Sequence, residues 1–266
     1  MSVAIIIPAR FASRRYPGKP LVSLRGATGI ARSLIERSWH AAQSVKGIDA
    51  VYVATDDEQI AQAVAGFGGT AIMTSETCRN GTERCAEAAE RLGGDHEIVV
   101  NLQGDAPLTP AWFIEDLVAG LRDNPGAGVA TPVLRCNGAM LNDLLADRRA
   151  GRVGGTTAVF DRENHGLYFS KEVIPFTSEA YAETAPTPVF HHVGVYAYRA
   201  GPLAEYAGWQ EGDLERLEGL EQLRFVENGH AVLCVEVESR DRQFWELNNP
   251  EDVSKLEQMM AQMGME

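Results

Sequence analysis

The sequence predicts an α/β protein built on a mainly parallel β-sheet. Short runs of apolar, β-branched residues alternate with helical stretches through the first half of the chain, which is the pattern of successive strand–helix–strand units. The first run, residues 3–7, is continuously apolar, as expected for a strand buried on both faces. The chain has 266 residues, of which 45% are hydrophobic and 23% charged, so it can bury a large core.

Three buried strands are predicted in the first half, and each is followed by polar residues. The predicted strands cover residues 3–7, 49–55 and 96–102, and the predicted helices cover residues 30–45, 58–67, 83–92 and 110–124. The carboxyl ends of parallel strands meet at one edge of a sheet, where α/β proteins bind their ligands. We therefore expect the polar residues that follow the strands to lie along one edge.

The second half has a different pattern, and we expect part of it to form a smaller lobe. The predicted elements are strands over residues 156–160, 193–198 and 230–237, helices over 214–228 and 250–263, and a Pro-containing loop over 174–190. Residues 156–200 are expected to form a flap or dimerisation lobe within a single domain that spans residues 1–266.

Composition excludes several classes of protein. The net charge is −13, from 24 Lys+Arg against 37 Asp+Glu, which argues against a general binder of nucleic acid or anionic membranes. No apolar run is long enough for a signal peptide or a membrane span. The cysteines show no paired metal-binding spacing; they are Cys78, Cys85, Cys136 and Cys234. We expect a reduced, cytoplasmic protein without nucleic-acid or membrane partners.

Cations are concentrated ahead of the first acidic residue, Glu36. They are Arg10, Arg14, Arg15, Lys19, Arg25 and Arg32. One interpretation is a polyphosphate cradle, in which backbone N–H groups of a Gly/Pro-rich loop act together with the cations. The other is a solvated basic loop folded by turns around residues 17–20, because Pro-Gly is chiefly a turn sequence. The GxxxxGK[ST] phosphate-binding loop is absent.

Three further positions are candidates for chemistry, each with a structural alternative. Asp105 follows the third strand and suits a Mg²⁺ ion shared with substrate phosphates, but an Asp in a turn is also common. Thr82 is a plausible N-cap at the start of a helix, where backbone amides suit a phosphate or a base edge. His191 and His192 are adjacent in an expected strand, so they face opposite ways, which favours one ligand-facing histidine over a zinc site.

Together these segments resemble the 3-deoxy-manno-octulosonate (Kdo) cytidylyltransferases. The motifs occur in order along nearly the whole chain: PAR-aromatic-x-S-x-R-x-PGKPL at 8–21, ATDD at 54–57, GTER at 81–84, NxQGDxP at 101–107, LYFS at 167–170, HxGxYxYR at 192–199 and a variant of LExLEQLR within 214–224. The ordered set is far more specific than any single motif.

The resemblance implies a nucleotide-diphospho-sugar transferase fold, a Rossmann-like mixed sheet with helices on both faces. It also implies a reaction in which the anomeric hydroxyl of a sugar acid attacks the α-phosphorus of CTP and pyrophosphate is released. Mg²⁺ is the implied cofactor, and a homodimer is the implied assembly. The implied partners are CTP and a sugar acid, most simply Kdo.

Motif positions assign the implied site residues to four roles. The catalytic residues would be Arg10, Arg15, Lys19 and Asp105. The nucleotide would be bound by Pro8, Ala9, Arg10, Lys19 and Thr82. The sugar acid would be bound by Arg15, Gln103, His192, Tyr196, Glu221 and Gln222. The metal would be bound by Asp105, with Asn248 and Glu246 as candidates for a second position.

Several positions depart from the family pattern and keep the acceptor open. Asn248 stands where the family has a metal-binding Asp, and Glu246, on the same face of an extended segment, is our candidate for the missing charge. Ala106, Lys171 and the sequence of residues 155–159 also differ, mainly in the half expected to hold the sugar acid. The alternatives are therefore a cytidylyltransferase for another acid, such as an amino-Kdo, a sialic-acid-like sugar or a non-sugar acid, or a non-catalytic CTP-binding paralogue.

Overall fold

The computed structural model describes residues 2–12, 16–240, 242 and 245–265. Its strands are β1 (Val3–Ala9), β2 (Ser23–Arg25), β3 (Ala31–Ser33), β4 (Ala50–Thr55), β5 (Thr70–Met73), β6 (Ile98–Asn101), β7 (Val129–Asn137), β8 (Thr156–Phe160), β9 (Gly166–Ser170), β10 (Pro186–His192), β11 (Tyr196–Arg199) and β12 (Val232–Glu236). Its α-helices are α1 (Leu34–Gln43), α2 (Glu58–Gly66), α3 (Gly81–Arg91), α4 (Ala111–Asp123), α5 (Gly138–Arg149), α6 (Ala200–Gly208), α7 (Asp213–Glu218), α8 (Leu223–Glu227) and α9 (Asp252–Met263).

The chain divides into two compact units. The first unit comprises Met1–Glu115, Tyr198–Ala207 and Ser239–Glu266, and the second comprises Asp116–Ala197 and Gly208–Glu238. No helix in the described ranges is both long and apolar enough to cross a membrane.

The first unit is built on a parallel sheet with β1 near its centre. The strand order is β5-β4-β1-β6, and Ile5 pairs with Val51 on one side and Val100 on the other. Every residue from Val3 to Ile7 is fully buried, which is why the run is apolar on both faces. Parallel pairing brings the carboxyl ends of β1, β4 and β6 to one edge of the sheet, as the sequence predicts.

A second apolar cluster in the first unit anchors the carboxyl-terminal segment. Its buried members are Leu24, Leu34, Leu108, Leu247, Leu256, Met259 and Met260. Leu247 is held further by its backbone N–H, which donates to the carbonyl of Asp105 at 2.9 Å. The segment that carries Glu246 and Asn248 therefore runs beside the loop that follows β6.

The second unit has a mixed sheet in the order β12-β7-β10-β8-β9. β12 is parallel to β7, and the remaining neighbours are antiparallel. In register, His192 on β10 lies opposite Val133 on β7 and Thr156 on β8. The predicted α/β class, with a mainly parallel sheet flanked by helices, is confirmed. The predicted flap or dimerisation lobe stays a prediction, and its residues 156–197 belong to this unit.

Some predicted elements of the first half are wrong in detail. Residues 31–33 form β3, paired with β2, where the sequence suggests a helix from residue 30. The helix starts at Leu34 because Ser33 is its N-cap, with its side chain accepting from the backbone N–H of Glu36.

In the second half, β10 begins at Pro186, inside the loop that we predict over 174–190, and the next strand begins at Tyr196 rather than at residue 193. The predicted helix over 214–228 is two short helices, α7 and α8. Gly219, at φ 63, ends α7 in the left-handed conformation that glycine adopts without strain.

Candidate active site

A cavity of about 410 Å³ lies in the first unit, at the carboxyl ends of β1 and β6 and the start of α3. Its lining residues are Pro8, Ala9, Arg10, Lys19, Pro20, Leu34, Cys78, Arg79, Asn80, Gly81, Arg84, Gln103, Gly104 and Asp105. This is the sheet edge at which α/β proteins bind ligands. The structure thus brings the Gly/Pro-rich loop, the helix start and the loop after β6 into one cavity.

Lys19 and Asp105 form an ion pair inside this cavity. The Lys19 Nζ lies 2.5 Å from Asp105 Oδ2, and the two side chains are 13% and 24% exposed. Gly18, at φ 69, makes the turn that begins the short 3₁₀ segment Lys19–Leu21. Gly104 allows the chain to pass close to β1, because a Cβ there would lie 2.9 Å from the carbonyl oxygen of Pro8.

The cavity holds more cations than anions. Arg10 is exposed, and no residue in the described ranges forms an ion pair with it. Arg84 is buried, and its Nη2 lies 2.7 Å from Asp56 Oδ2, behind the lining. Arg79 is held by Glu83, at 2.5 Å from its Nη2. A surplus of guanidinium and ammonium groups around an open cavity suits a ligand with several negative charges.

The start of α3 contributes backbone amides, but its cap differs from the prediction. Asn80 is the N-cap: its side chain accepts from the backbone N–H of Glu83 at 2.8 Å. Thr82, which we predict as the cap, is instead fully buried in the first turn, and its Oγ1 lies 2.7 Å from the hydroxyl of Tyr198. Asn80 is also held by Tyr206, whose hydroxyl accepts from its Nδ2 at 2.9 Å.

Gln103 belongs to a line of polar side chains that runs from the cavity into the core. Its Nε2 donates to Asn101 Oδ1 at 3.3 Å, and Asn101 Nδ2 lies 3.5 Å from the hydroxyl of Tyr198. Asn101 and Tyr198 are both fully buried. The amide nitrogen of Gln103 is therefore engaged in a hydrogen bond within the protein.

Glu246 and Asn248 lie together on the carboxyl-terminal segment. Asn248 Nδ2 is 3.4 Å from Glu246 Oε2, so the two side chains share a face, as the sequence predicts. Asp252 fastens the segment by accepting from Trp245 Nε1 and from the backbone N–H groups of Asn248 and Asn249. Burial acts to raise the pKa of Asp252, but these hydrogen bonds outweigh burial, and the pKa is lowered.

In the second unit, three residues predicted to bind the sugar acid form a buried cluster. The rings of His192 and Tyr196 are 5.7 Å apart, and the Tyr196 hydroxyl donates to Gln222 Oε1 at 2.9 Å. Each side chain is more than nine-tenths buried. Gln222 Nε2 is buried and has no hydrogen-bond partner among the described residues. Such an unpaired donor is costly in a core unless something else satisfies it.

His192 is neutral in this cluster. Burial, with a smaller contribution from neighbouring His191, lowers its pKa to about 3. Its Nε2 lies 2.9 Å from Thr131 Oγ1, which is also within hydrogen-bonding distance of the carbonyl of Val195, at 3.0 Å. Because that carbonyl can only accept, the Thr131 proton goes to it, and His192 Nε2 then donates to the hydroxyl. The tautomer inferred from this network leaves Nδ1 as an acceptor.

Glu221 and Gln222 lie in the turn between α7 and α8. The turn is fixed by Arg224, whose Nε and Nη2 lie 2.5 and 2.7 Å from the carboxylate oxygens of Glu215. Both partners of this ion pair are buried. A bidentate pair of this kind holds the turn in one geometry, so the sequence pattern of residues 214–224 has a structural basis.

The predicted site residues therefore have different outcomes. Those that line the first-unit cavity are Pro8, Ala9, Arg10, Lys19, Gln103 and Asp105. Arg15 falls outside the described residues. The sequence reasoning missed Arg79 and Arg84 as cavity residues, although both adjoin or belong to the GTER motif at 81–84. The available signal was that Arg79 and Arg84, five residues apart, stand on either side of the start of a predicted helix.

Comparisons with known proteins agree with this geometry. A family model described as cytidylyltransferase matches residues 4–246. The 3-deoxy-manno-octulosonate cytidylyltransferase of Maricaulis maris (strain MCS10) is 43% identical, covering 99% of each chain. The 8-amino-3,8-dideoxy-manno-octulosonate cytidylyltransferase of Shewanella sp. (strain ANA-3) is 38% identical, covering 98% of this chain and 99% of the relative.

A solved structure gives the same result in three dimensions. The structure of CMP:2-keto-3-deoxy-manno-octonic acid synthetase complexed with CTP has a TM-score of 0.83 and 33% identity, and the match covers 99% of this chain and 100% of that one. The match extends over both units, and the cationic cavity suits a polyphosphate. The chain belongs to the cytidylyltransferase family and is a nucleotidyltransferase.

Proposed function

We propose that the chain transfers CMP from CTP to the anomeric hydroxyl of 3-deoxy-manno-octulosonate and releases pyrophosphate. The observation that carries the proposal is the cationic cavity at the ends of β1 and β6, in a chain whose full-length relatives are named for this reaction. The hydroxyl oxygen forms a bond to the α-phosphorus, the bond from that phosphorus to the bridging oxygen breaks, the bridging oxygen leaves as part of pyrophosphate, and the hydroxyl proton passes to solvent.

The chain's contribution to this reaction is positioning and charge neutralisation. Arg10, which is free of ion pairs within the described part of the chain, binds phosphate oxygens, and the backbone amides at the start of α3 add further donors. Lys19, which also lines the cavity, is a second cation for the phosphates. Holding both substrates in line supplies much of the rate acceleration in phosphoryl transfer, because the protein has little covalent chemistry to perform.

The residues present fit a divalent cation that is bound partly by the nucleotide. Asp105 is the carboxylate that lines the cavity, and no cluster of three or more His, Cys, Asp or Glu among the described residues could hold a metal alone. Mg²⁺ is commonly held by one or two carboxylates together with substrate phosphates. When bound, the ion would neutralise charge on the phosphates. We propose Asp105 as one ligand and Glu246, rather than Asn248, as the second.

The metal assignment is tested by the Mg²⁺ dependence of pyrophosphate release. Glu246→Gln is expected to raise the Mg²⁺ concentration that gives half-maximal rate about tenfold, since a charged ligand is lost. Asn248→Asp restores the carboxylate that the family pattern has and is expected to lower that concentration. An unchanged Mg²⁺ requirement in Glu246→Gln would exclude Glu246 as a ligand.

We propose that the buried cluster of the second unit recognises the sugar acid through neutral groups. Gln222 has an unsatisfied amide donor, and neutral His192 offers an acceptor at Nδ1. An acceptor paired with a donor selects hydroxyl groups by the direction of their hydrogen bonds, whereas a cation would select charge. Glu221, in the same unit, is the remaining candidate for this role, and Gln103 remains a candidate for binding the sugar acid in the first-unit cavity.

The second candidate acceptor is the 8-amino analogue of the same acid. It is favoured by the relatives from Shewanella, whose identity of 38% over nearly the full chain equals that of several relatives named for the unsubstituted acid. The discriminating experiment is CTP-dependent pyrophosphate release with each acid at equal concentration, with Asp105→Asn as the control for background hydrolysis. A higher kcat/KM with the 8-amino analogue would make that analogue the substrate. No pyrophosphate release with either sugar acid would refute both candidate acceptors.

We also propose a homodimer in the cytosol, formed by the lobe of residues 156–200. Phe176 and Leu167 are 89% and 60% exposed, which is unusual for large apolar side chains and supports an interface there. None of the described cysteines forms a disulfide, which supports the cytosol. Light scattering should give twice the chain mass. Phe176→Asp should shift the mass toward a monomer, and an unchanged dimer would move the interface elsewhere.

A further inference from the structure

The ion pair between Lys19 and Asp105 engages the carboxylate to which the proposed function assigns the metal ion. Lys19 Nζ lies 2.5 Å from Asp105 Oδ2, so the ammonium stands against the carboxylate that the proposed function gives to the metal. A cation at that oxygen and a divalent ion on the same oxygen repel each other strongly at such separations. The ammonium and the divalent ion therefore compete for this carboxylate.

The rest of the cavity adds to the repulsion. The charged lining residues are Arg10, Lys19, Arg79, Arg84 and Asp105, that is, four cations and one anion. Glu83 and Asp56 compensate Arg79 and Arg84 from outside the lining, and Lys19 compensates Asp105 from within it. With these pairs counted, Arg10 leaves the cavity with a net positive charge, which attracts a polyanion and opposes the entry of a divalent cation alone.

We propose that Lys19 makes divalent-cation binding depend on the nucleotide. The inference rests on the proposed function and deepens it. When phosphate oxygens enter the cavity, Lys19 gains an anionic partner other than Asp105, and the freed carboxylate becomes available to the cation. The exchange keeps each charge paired before and after, so neither Lys19 nor Asp105 is left without an opposite charge beside it.

This exchange couples the two binding events. Whatever factor the nucleotide contributes to cation affinity, the cation contributes equally to nucleotide affinity. The expected order has the nucleotide, free or already carrying the cation, entering a site that is closed to the cation alone. Asp105 is thereby protected from ions that would otherwise occupy it before the substrate arrives.

The test measures Mn²⁺ binding to the whole chain without nucleotide, by the loss of the electron paramagnetic resonance signal of free Mn²⁺. Lys19→Met removes the competing ammonium, and Lys19→Arg keeps a cation in its place. Lys46→Met is the matched control, because it removes the same charge from an exposed position outside the cavity lining. Thermal unfolding of each variant checks that the fold is intact.

Lys19→Met is expected to bind Mn²⁺ about fivefold or more tightly than wild type, within the usual range for coupled sites. Lys19→Arg and Lys46→Met should stay close to wild type, and the double variant Lys19→Met/Asp105→Asn should lose the gain. Equal affinity in Lys19→Met and wild type overturns the inference, as does an equal gain in Lys46→Met or a gain that survives loss of Asp105.

Pyrophosphate release separates this inference from the proposed function. Wild-type turnover that depends on Asp105, together with no gain in Lys19→Met, overturns the coupling and leaves the reaction intact. Absence of turnover with either acid overturns the proposed function. In that case the Mn²⁺ titration without nucleotide still measures whether Lys19 competes with the cation for Asp105.

Discussion

The cavity of the first unit and the buried cluster of the second treat charge in opposite ways. The cavity is open and carries several cations, of which Arg10 has no ion pair within the described residues. The cluster is closed to solvent, and burial keeps His192 neutral. A polyphosphate is bound by charge, which tolerates solvent. A polyhydroxylated acceptor is discriminated by hydrogen bonds, which are most selective where unpaired groups are costly. The two regions suit these two tasks.

The largest expected effect belongs to Asp105→Asn, in the open cavity. Removing the carboxylate is expected to lower kcat about 100- to 1000-fold, in the range seen when one electrostatic group is lost from an active site. Thermal unfolding should change little, because a partly exposed ion pair contributes at most about 1 kcal/mol. Steady-state kinetics and a melting curve check both parts, and full activity would mean that the metal is held elsewhere.

Arg10→Ala tests whether charge in the open cavity binds the nucleotide. We expect KM for CTP to rise about 10- to 100-fold, the equivalent of one or two hydrogen bonds to a charged group. Arg10→Lys should recover part of the loss, because Lys keeps the charge but not the forked geometry. Arg25→Ala, which removes an exposed cation outside the cavity lining, is the matched control and should bind CTP normally.

The neutral histidines of the second unit predict a loss of stability in acid. Burial lowers the pKa of His191 to about 4 and that of His192 to about 3, whereas both titrate near 6.5 when unfolded. Between these values the unfolded state binds more protons, so the free energy of unfolding falls as pH decreases from 6.5, by up to about 1.4 kcal/mol per pH unit for each histidine.

His192→Asn is expected to reduce this slope between pH 6 and pH 4.5, since it removes one of the histidines whose pKa is lowered by folding. Urea unfolding at several pH values measures the slope. A slope unchanged by His192→Asn would mean that this histidine is protonated in the folded state, and the contrast with the cationic cavity would fail.

The smallest expected effect belongs to Tyr196→Phe. Loss of the hydroxyl removes the hydrogen bond to Gln222 Oε1 and leaves a second amide atom to be satisfied. We expect KM for the acid to rise about tenfold or less while the affinity for CTP, measured by calorimetry, stays constant. Equal losses for both substrates would indicate a general structural role.

Local sequence patterns were sufficient for the buried strands and for the charged loop. The apolar run at 3–7 becomes β1 because a strand buried on both faces needs no information beyond its own residues, and the run at 49–55 becomes β4, which is buried over its second half. β10 was missed because its sequence contains Pro186 and two histidines, and its place is fixed by pairing with β7 and β8. Strand propensity depends on such partners more than helix propensity does.

The N-cap of α3 could not be predicted from residue type alone. Asn80 and Thr82 are both acceptable N-caps by residue type. Asn80 holds that position, while Thr82 contacts a tyrosine hydroxyl 116 residues away in sequence. The sequence around the helix start could not rank the two, because the deciding partner lies on β11.

The sequence alone determined the α/β class and the family, and it named six of the residues that line the first-unit cavity, since these follow from local hydrophobic patterns and from ordered motifs. Only the tertiary structure decided how those residues act on one another. It paired Lys19 with Asp105 across 86 residues, and it fixed the direction of the hydrogen bonds around Gln222. The physical reason is that charge, pKa and hydrogen-bond direction depend on distances of a few ångströms, and sequence separation does not specify such distances.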